Sequence, residues 1–176
     1  MKYELLLSGI GGQGVMTLGE TLCDAAIAAG WKVTFVPFYG QEKRGGRTMC
    51  NITISDSMES PIISQADIML LMDERSLHDY QEIMSPTGTL ILNSSMIDEE
   101  PTCQYAELKK VPFNELAQEV GNPKTANVIA MGTLAKVLPE IPFERISAQV
   151  EKSFAAKPKL IPINLEALKK GYSLDV

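Results

Sequence analysis

A chain of 176 residues is long enough for one domain with a real core, and 45% hydrophobic and 22% charged residues are ordinary for a globular protein. A formal net charge of −6 argues against phosphate-dominated binding of nucleic acid, and no apolar run approaches the roughly 18–20 residues that span a bilayer. Cys23, Cys50 and Cys103 are isolated, which argues against an iron–sulfur cluster or structural zinc held by this chain alone.

The N-terminus has one Lys and then strand-like alternation, unlike a secretory signal, so the expected compartment is the cytoplasm. Residues 3–8, YELLLS, read as a short buried strand, and GIGGQG at 9–14 follows at once. From Val15 to about Ala29 the apolar residues recur at helical spacing, with Gly30 where a helix-terminating glycine belongs. WKVTFV at 31–36 reads as a second strand, which predicts a βαβ unit with a right-handed crossover.

PFYGQEKRGG at 37–46 is a loop, TMCNITIS at 48–55 a strand, and DIMLLM at 67–72 a central parallel strand buried on both faces. A helix is predicted from about Arg75 to Met84, a buried strand over 88–93 and a weaker edge strand over 103–108. The C-terminal third reads as helical over 112–120, 125–138 and 142–154, with a last segment at 165–174 that packs as a tail. The fold class expected is α/β: one Rossmann-like domain over 1–176, a mostly parallel sheet flanked by helices.

The spacing of Gly9, Gly11 and Gly14 suits a tight strand-to-helix turn, whose free N–H groups and helix N-terminus favour an anion. A nicotinamide site also needs an acid near the end of the second strand, yet Val36, Pro37, Phe38 and Tyr39 stand there. A P-loop fails too, because no Lys-Ser or Lys-Thr follows the turn. A tight turn without any ligand remains the alternative.

The second loop is the more unusual one. Tyr39-Gly40, a charged stretch ending in Lys43-Arg44, then Gly45-Gly46 would lie beside the glycine turn in a doubly wound fold. Arg44 and Lys43 could there meet a carboxylate or phosphate, or simply be solvated. Other features read as structural. The methionines fill cores, one of Asp73 and Glu74 caps a helix, Asn93 begins a polar turn, and His78 is a surface residue. Asn127, inside an apolar helix, needs partners and could hold a loop backbone or face another chain.

Taken together, GIGGQGV at 9–15 and YGQEKRGG at 39–46 resemble the gamma subunit of 2-oxoacid:ferredoxin (acceptor) oxidoreductases, most closely the 2-oxoglutarate type. Ser60-Pro61 to Asp67 and TANVIAMGTLAKV at 125–137 extend the likeness over essentially the whole chain. The family often has Pro where Gln41 stands, which alters loop stiffness more than chemistry. The resemblance implies oxidative decarboxylation of a 2-oxoacid with coenzyme A to acyl-CoA and CO₂. Thiamine diphosphate and iron–sulfur clusters are then expected on alpha, beta and ferredoxin-like delta partners, with ferredoxin as acceptor. No catalytic residue and no metal ligand is expected here, and the chain would not be active alone. Gly9, Gly11, Gly12, Gln13, Gly14, Tyr39, Gly40, Lys43, Arg44, Gly45 and Gly46 are the candidate coenzyme A or partner-binding residues. A purely structural assembly subunit and a free-standing nucleotide-binding oxidoreductase are the competing readings.

Overall fold

Strand β1 (Lys2–Ile10) sends alternate leucines into two different cores: Leu5 and Leu7 into one, Leu6 into the other. That is the period-2 pattern of a strand covered on both faces, and each fully buried leucine contributes about 2 kcal/mol of apolar burial. The computed structural model describes residues 1–42 and 44–176. After β1 come α1 (Val15–Ala28), β2 (Lys32–Tyr39), β3 (Arg47–Ser55), β4 (Ala66–Leu71), α2 (Glu74–Tyr80) and β5 (Met84–Asn93). β6 (Glu107–Val111) and α3 (Phe113–Val120), α4 (Ala126–Val137), α5 (Phe143–Ser153) and α6 (Ile161–Tyr172) complete the order.

The six strands form one sheet in the order β2-β3-β1-β4-β5-β6. β1, β4, β5 and β6 pair in parallel, whereas β3 runs antiparallel to both β1 and β2. The expected βαβ unit is therefore modified: β2 runs parallel to β1, but β3 lies between them. An alternating strand reads alike in either direction, so TMCNITIS carries no sign of this insertion. The weak edge strand sits at Glu107–Val111, four residues beyond the expected start, and the helix after β4 stops at Tyr80.

One face carries the larger core, built on Leu18 and Leu22 of α1, Ile129 and Leu134 of α4, Ile146 of α5 and Leu168 of α6. The expected tail is thus a helix buried along one side. The other face is thinner, covered by Leu77 of α2 and by Ile97 in the segment after β5. Helices α4 and α6 cross backbone to backbone. A Cβ at Gly171 would lie 2.8 Å from the Ile129 carbonyl carbon, and one at Gly132 would lie 2.7 Å from the Tyr172 nitrogen.

This topology fixes where a ligand can sit. β1 leads into α1 on one face and its neighbour β4 into α2 on the other. The chain thus parts at the carboxyl ends of these strands, where doubly wound folds open a crevice.

Candidate functional site

At that crevice the glycine turn and the second loop meet. The Gly11 N–H donates to the Gly46 carbonyl at 2.8 Å, joining the turn after β1 to the hairpin between β2 and β3. The hairpin closes through Gly40 N–H to the Arg47 carbonyl at 2.7 Å, and α2 braces it with two ion pairs. These are Arg47–Asp79 at 3.0 Å and Arg75–Glu42 at 3.3 Å. A backbone N–H and then Arg75 hold the exposed Glu42 carboxyl below the usual carboxylate range.

The candidate residues divide between two cavities. Gly12, Gln13 and Gly14 line one of about 380 Å³, together with Met72, Asn114, Gln118, Lys124 and Asn127. Gly11, Tyr39, Gly40, Arg44, Gly45 and Gly46 line a shallower one of about 230 Å³. Gly9 belongs to β1, where it pairs with Thr48, and its carbonyl accepts from the Thr48 hydroxyl at 3.2 Å. Lys43 lies outside the described residues.

The larger cavity has the chemistry of an anion site. Two helices begin at it, α1 after Gly14 and α4 after Thr125, and neither has a side-chain cap among the described residues. Unpaired N–H groups of a first helical turn attract negative charge. Gly14 makes the approach possible: its φ is 73°, and a Cβ there would lie 2.9 Å from the Asn127 side-chain carbon. Lys124 is the only charged residue among the described residues that line this cavity, and no described acid pairs with it. Amides of Asn114, Gln118 and Asn127 add neutral donors and acceptors.

The floor is held by buried amides. Ile10 N–H donates to Gln13 Oε1 at 2.8 Å, while Gln13 Nε2 donates to the Met72 carbonyl at 3.0 Å. Asn93, fully buried, donates to the same carbonyl and to Asn114 Oδ1, both at 3.1 Å, and accepts from the N–H groups of Ser95 and Phe113. Asn127 Nδ2 donates to the Gly14 carbonyl at 3.4 Å, so its role is to hold the turn. Asp73 stands at the N-cap position of α2 and accepts from the Ser76 hydroxyl, which also bonds Ser8 Oγ at 2.9 Å.

Lys124, Gln118 and Asn114 were not foreseen from the sequence. Asn122-Pro123-Lys124 reads as a polar turn; Asn122 does accept from the Lys124 N–H at 3.0 Å, and only the packing of α4 on the glycine turn brings Lys124 to the cavity. His78 is half exposed, and Cys23 and Cys50 are buried in the larger core. Among the described residues no three His, Cys, Asp or Glu side chains stand together as a metal site, and no helix is long and apolar enough to cross a membrane.

The family model described as pyruvate ferredoxin/flavodoxin oxidoreductase matches residues 4–174. The chain is 29% identical to the ketoisovalerate oxidoreductase subunit VorA of Methanothermobacter thermautotrophicus, over 97% of this chain and 36% of that protein. It thus spans little more than a third of the length of that relative. It is 31% identical to the 2-oxoglutarate synthase subunit KorC of Methanothermobacter marburgensis, over 77% of each chain. Among solved structures it superposes on the gamma subunit of a keto/oxoacid ferredoxin oxidoreductase from Geobacter sulfurreducens with a TM-score of 0.83. The identity there is 25%, with 98% of this chain and 95% of that chain covered.

Proposed function

This chain belongs to the pyruvate ferredoxin/flavodoxin oxidoreductase family, and from that premise we propose that it serves as the gamma subunit of a multi-subunit 2-oxoacid:ferredoxin oxidoreductase. The complex converts a 2-oxoacid, coenzyme A and oxidised ferredoxin to acyl-CoA, CO₂ and reduced ferredoxin. Thiamine diphosphate and iron–sulfur clusters belong to its partner chains. The KorC relative, of matching length, supports 2-oxoglutarate as the oxoacid, and the VorA relative makes a branched-chain 2-oxoacid the competitor to test beside it.

Within the complex this chain holds the phosphates of coenzyme A. The observation that carries this reading is the cavity in which the Gly12–Gly14 turn, the uncapped starts of α1 and α4 and the Lys124 ammonium converge without a carboxylate. Donors of that kind fit a phosphate ester: backbone N–H groups for its oxygens and one cation for its charge. No step of the oxidation is assigned to a side chain of this subunit. Its residues bind and orient.

The test is to purify the complex through a tag on this chain and measure 2-oxoacid-dependent ferredoxin reduction and coenzyme A affinity. Lys124→Ala is expected to weaken coenzyme A about tenfold, the magnitude of one charge-assisted hydrogen bond, with the melting temperature unchanged. An unchanged affinity would assign this chain a purely structural role. A preference for 2-oxoisovalerate over 2-oxoglutarate would replace the proposed oxoacid.

A further inference from the structure

The two faces of the sheet are unequally covered at its β2 edge. Val33 and Phe35 of β2 and Cys50, Ile52 and Ile54 of β3 pack into the larger core beneath α1. Alternation therefore turns Thr34, Val36 and Phe38, with their partners Thr53, Asn51 and Met49, to the opposite face. Val36 and Phe38 join neither core, and Phe38 is 47% exposed. The segment after β3 crosses the lower end of this face: the Thr53 hydroxyl donates to the Ser60 carbonyl at 3.5 Å, and Ile62, 79% exposed, points away from the protein. Beneath the patch, Thr34 Oγ1 and Asn51 Oδ1 are buried with no hydrogen-bond partner among the described residues. Apolar exposure rimmed by unpaired polar atoms is what a surface looks like before another chain completes it.

Resting on the gamma-subunit reading above, we propose that this open β2–β3 face seats a partner subunit of the complex, the polypeptide that longer relatives carry in the same chain. In VorA the matched region is 36% of the protein, so there the domain is covalently tied to nearly twice its own length of further chain. Seating is by face and not by strand addition. β2 is the edge strand, and its Pro37 has no N–H to offer a further strand, so a second copy pairing edge to edge is disfavoured. The occupant brings apolar side chains over Val36 and Phe38 and hydrogen-bond donors toward Asn51 and Thr34.

The experiment co-expresses this chain, tagged, with its partner subunits and compares Phe38→Glu, Phe38→Leu and a control, Ile27→Glu, at an exposed position of α1 on the other side. Phe38→Glu is expected to lower partner recovery at least about tenfold, as loss of a central interface residue does, while the other two assemble normally. The melting temperature of each isolated variant shows whether it folds. If Phe38→Glu does not fold, hydrogen exchange on the wild type decides: slower exchange at 34–38 and 49–53 on assembly supports the proposal. Unaltered exchange there, wild-type recovery with Phe38→Glu, an equal loss with Ile27→Glu, or a dimer of the isolated chain broken by Phe38→Glu would each overturn it. Failure of the wild type itself to recover partners would overturn the gamma-subunit reading as well.

Discussion

The side-chain amides of Gln13 and Asn93 donate to one and the same carbonyl, that of Met72, at 3.0 and 3.1 Å. Through it the turns after β1, β4 and β5 are pinned to a single atom. Asn93 is fully buried and has three further partners, so its loss leaves several groups unpaired. Asn93→Ala is expected to cost about 2–4 kcal/mol of stability and Gln13→Ala about 1 kcal/mol, by urea denaturation. Because both reach one acceptor, the double variant should fall short of or exceed the sum by more than about 0.5 kcal/mol. Strict additivity would show that the shared carbonyl couples nothing.

The contact of α4 with the glycine turn gives a second prediction. Gly14→Ala must fit a side chain at φ 73° and against Asn127, and should destabilise by about 2–4 kcal/mol. Adding Asn127→Ala removes the collision but not the backbone strain. The double variant should therefore recover part of the loss, and a melt showing full recovery would refute the strain argument.

Much of this was readable in advance, and the exceptions have physical causes. The apolar spacing of Leu18, Leu22, Ala25 and Ala26 identifies α1, and the missing acid after Val36 disposes of a nicotinamide site. The meeting of the two glycine loops was expected and is found in the bond from Gly11 to Gly46. What could not be read was the second wall of the cavity. Asn127 and Gly14 are 113 positions apart, and no local pattern announces that Lys124 will stand over the turn. Nor did the sequence distinguish Gln13 as a brace from Gln13 as a ligand contact, since the amide suits either use.

The cysteines offer a chemical check. Burial pushes the Cys50 thiol up to about 12 and raises Cys23 further, whereas Cys103 is only partly covered and is raised less. Alkylation at pH 8 should label the native chain at Cys103 alone within the time that the denatured chain labels fully, read by mass spectrometry. Rapid native labelling of Cys50 would mean that α1 opens from β3.

Acid stability is the last prediction. Buried Lys109 donates to Glu107 at 2.8 Å and to the Val176 carbonyl at 2.6 Å, and this bond holds the Glu107 carboxyl below its usual value. A lowered folded value stabilises above the unfolded value and is lost as pH falls through the folded one. Lys109→Met should therefore flatten the decline in melting temperature below about pH 5. An unchanged slope would mean that other carboxylates set the acid limit.

The α4–α6 crossing carries a warning for protein engineering. Replacing helical glycines by alanine is a routine route to heat tolerance, worth about 1 kcal/mol where the site is open. At Gly132 and Gly171 the added methyl would wedge the two helices apart. Since α4 carries Asn127 at its start, the wedge would be felt at the mouth of the cavity. A thermostability screen scored on melting alone would reject these substitutions for the wrong reason, while one scored on coenzyme affinity would find that the two glycines calibrate the width of a distant binding site.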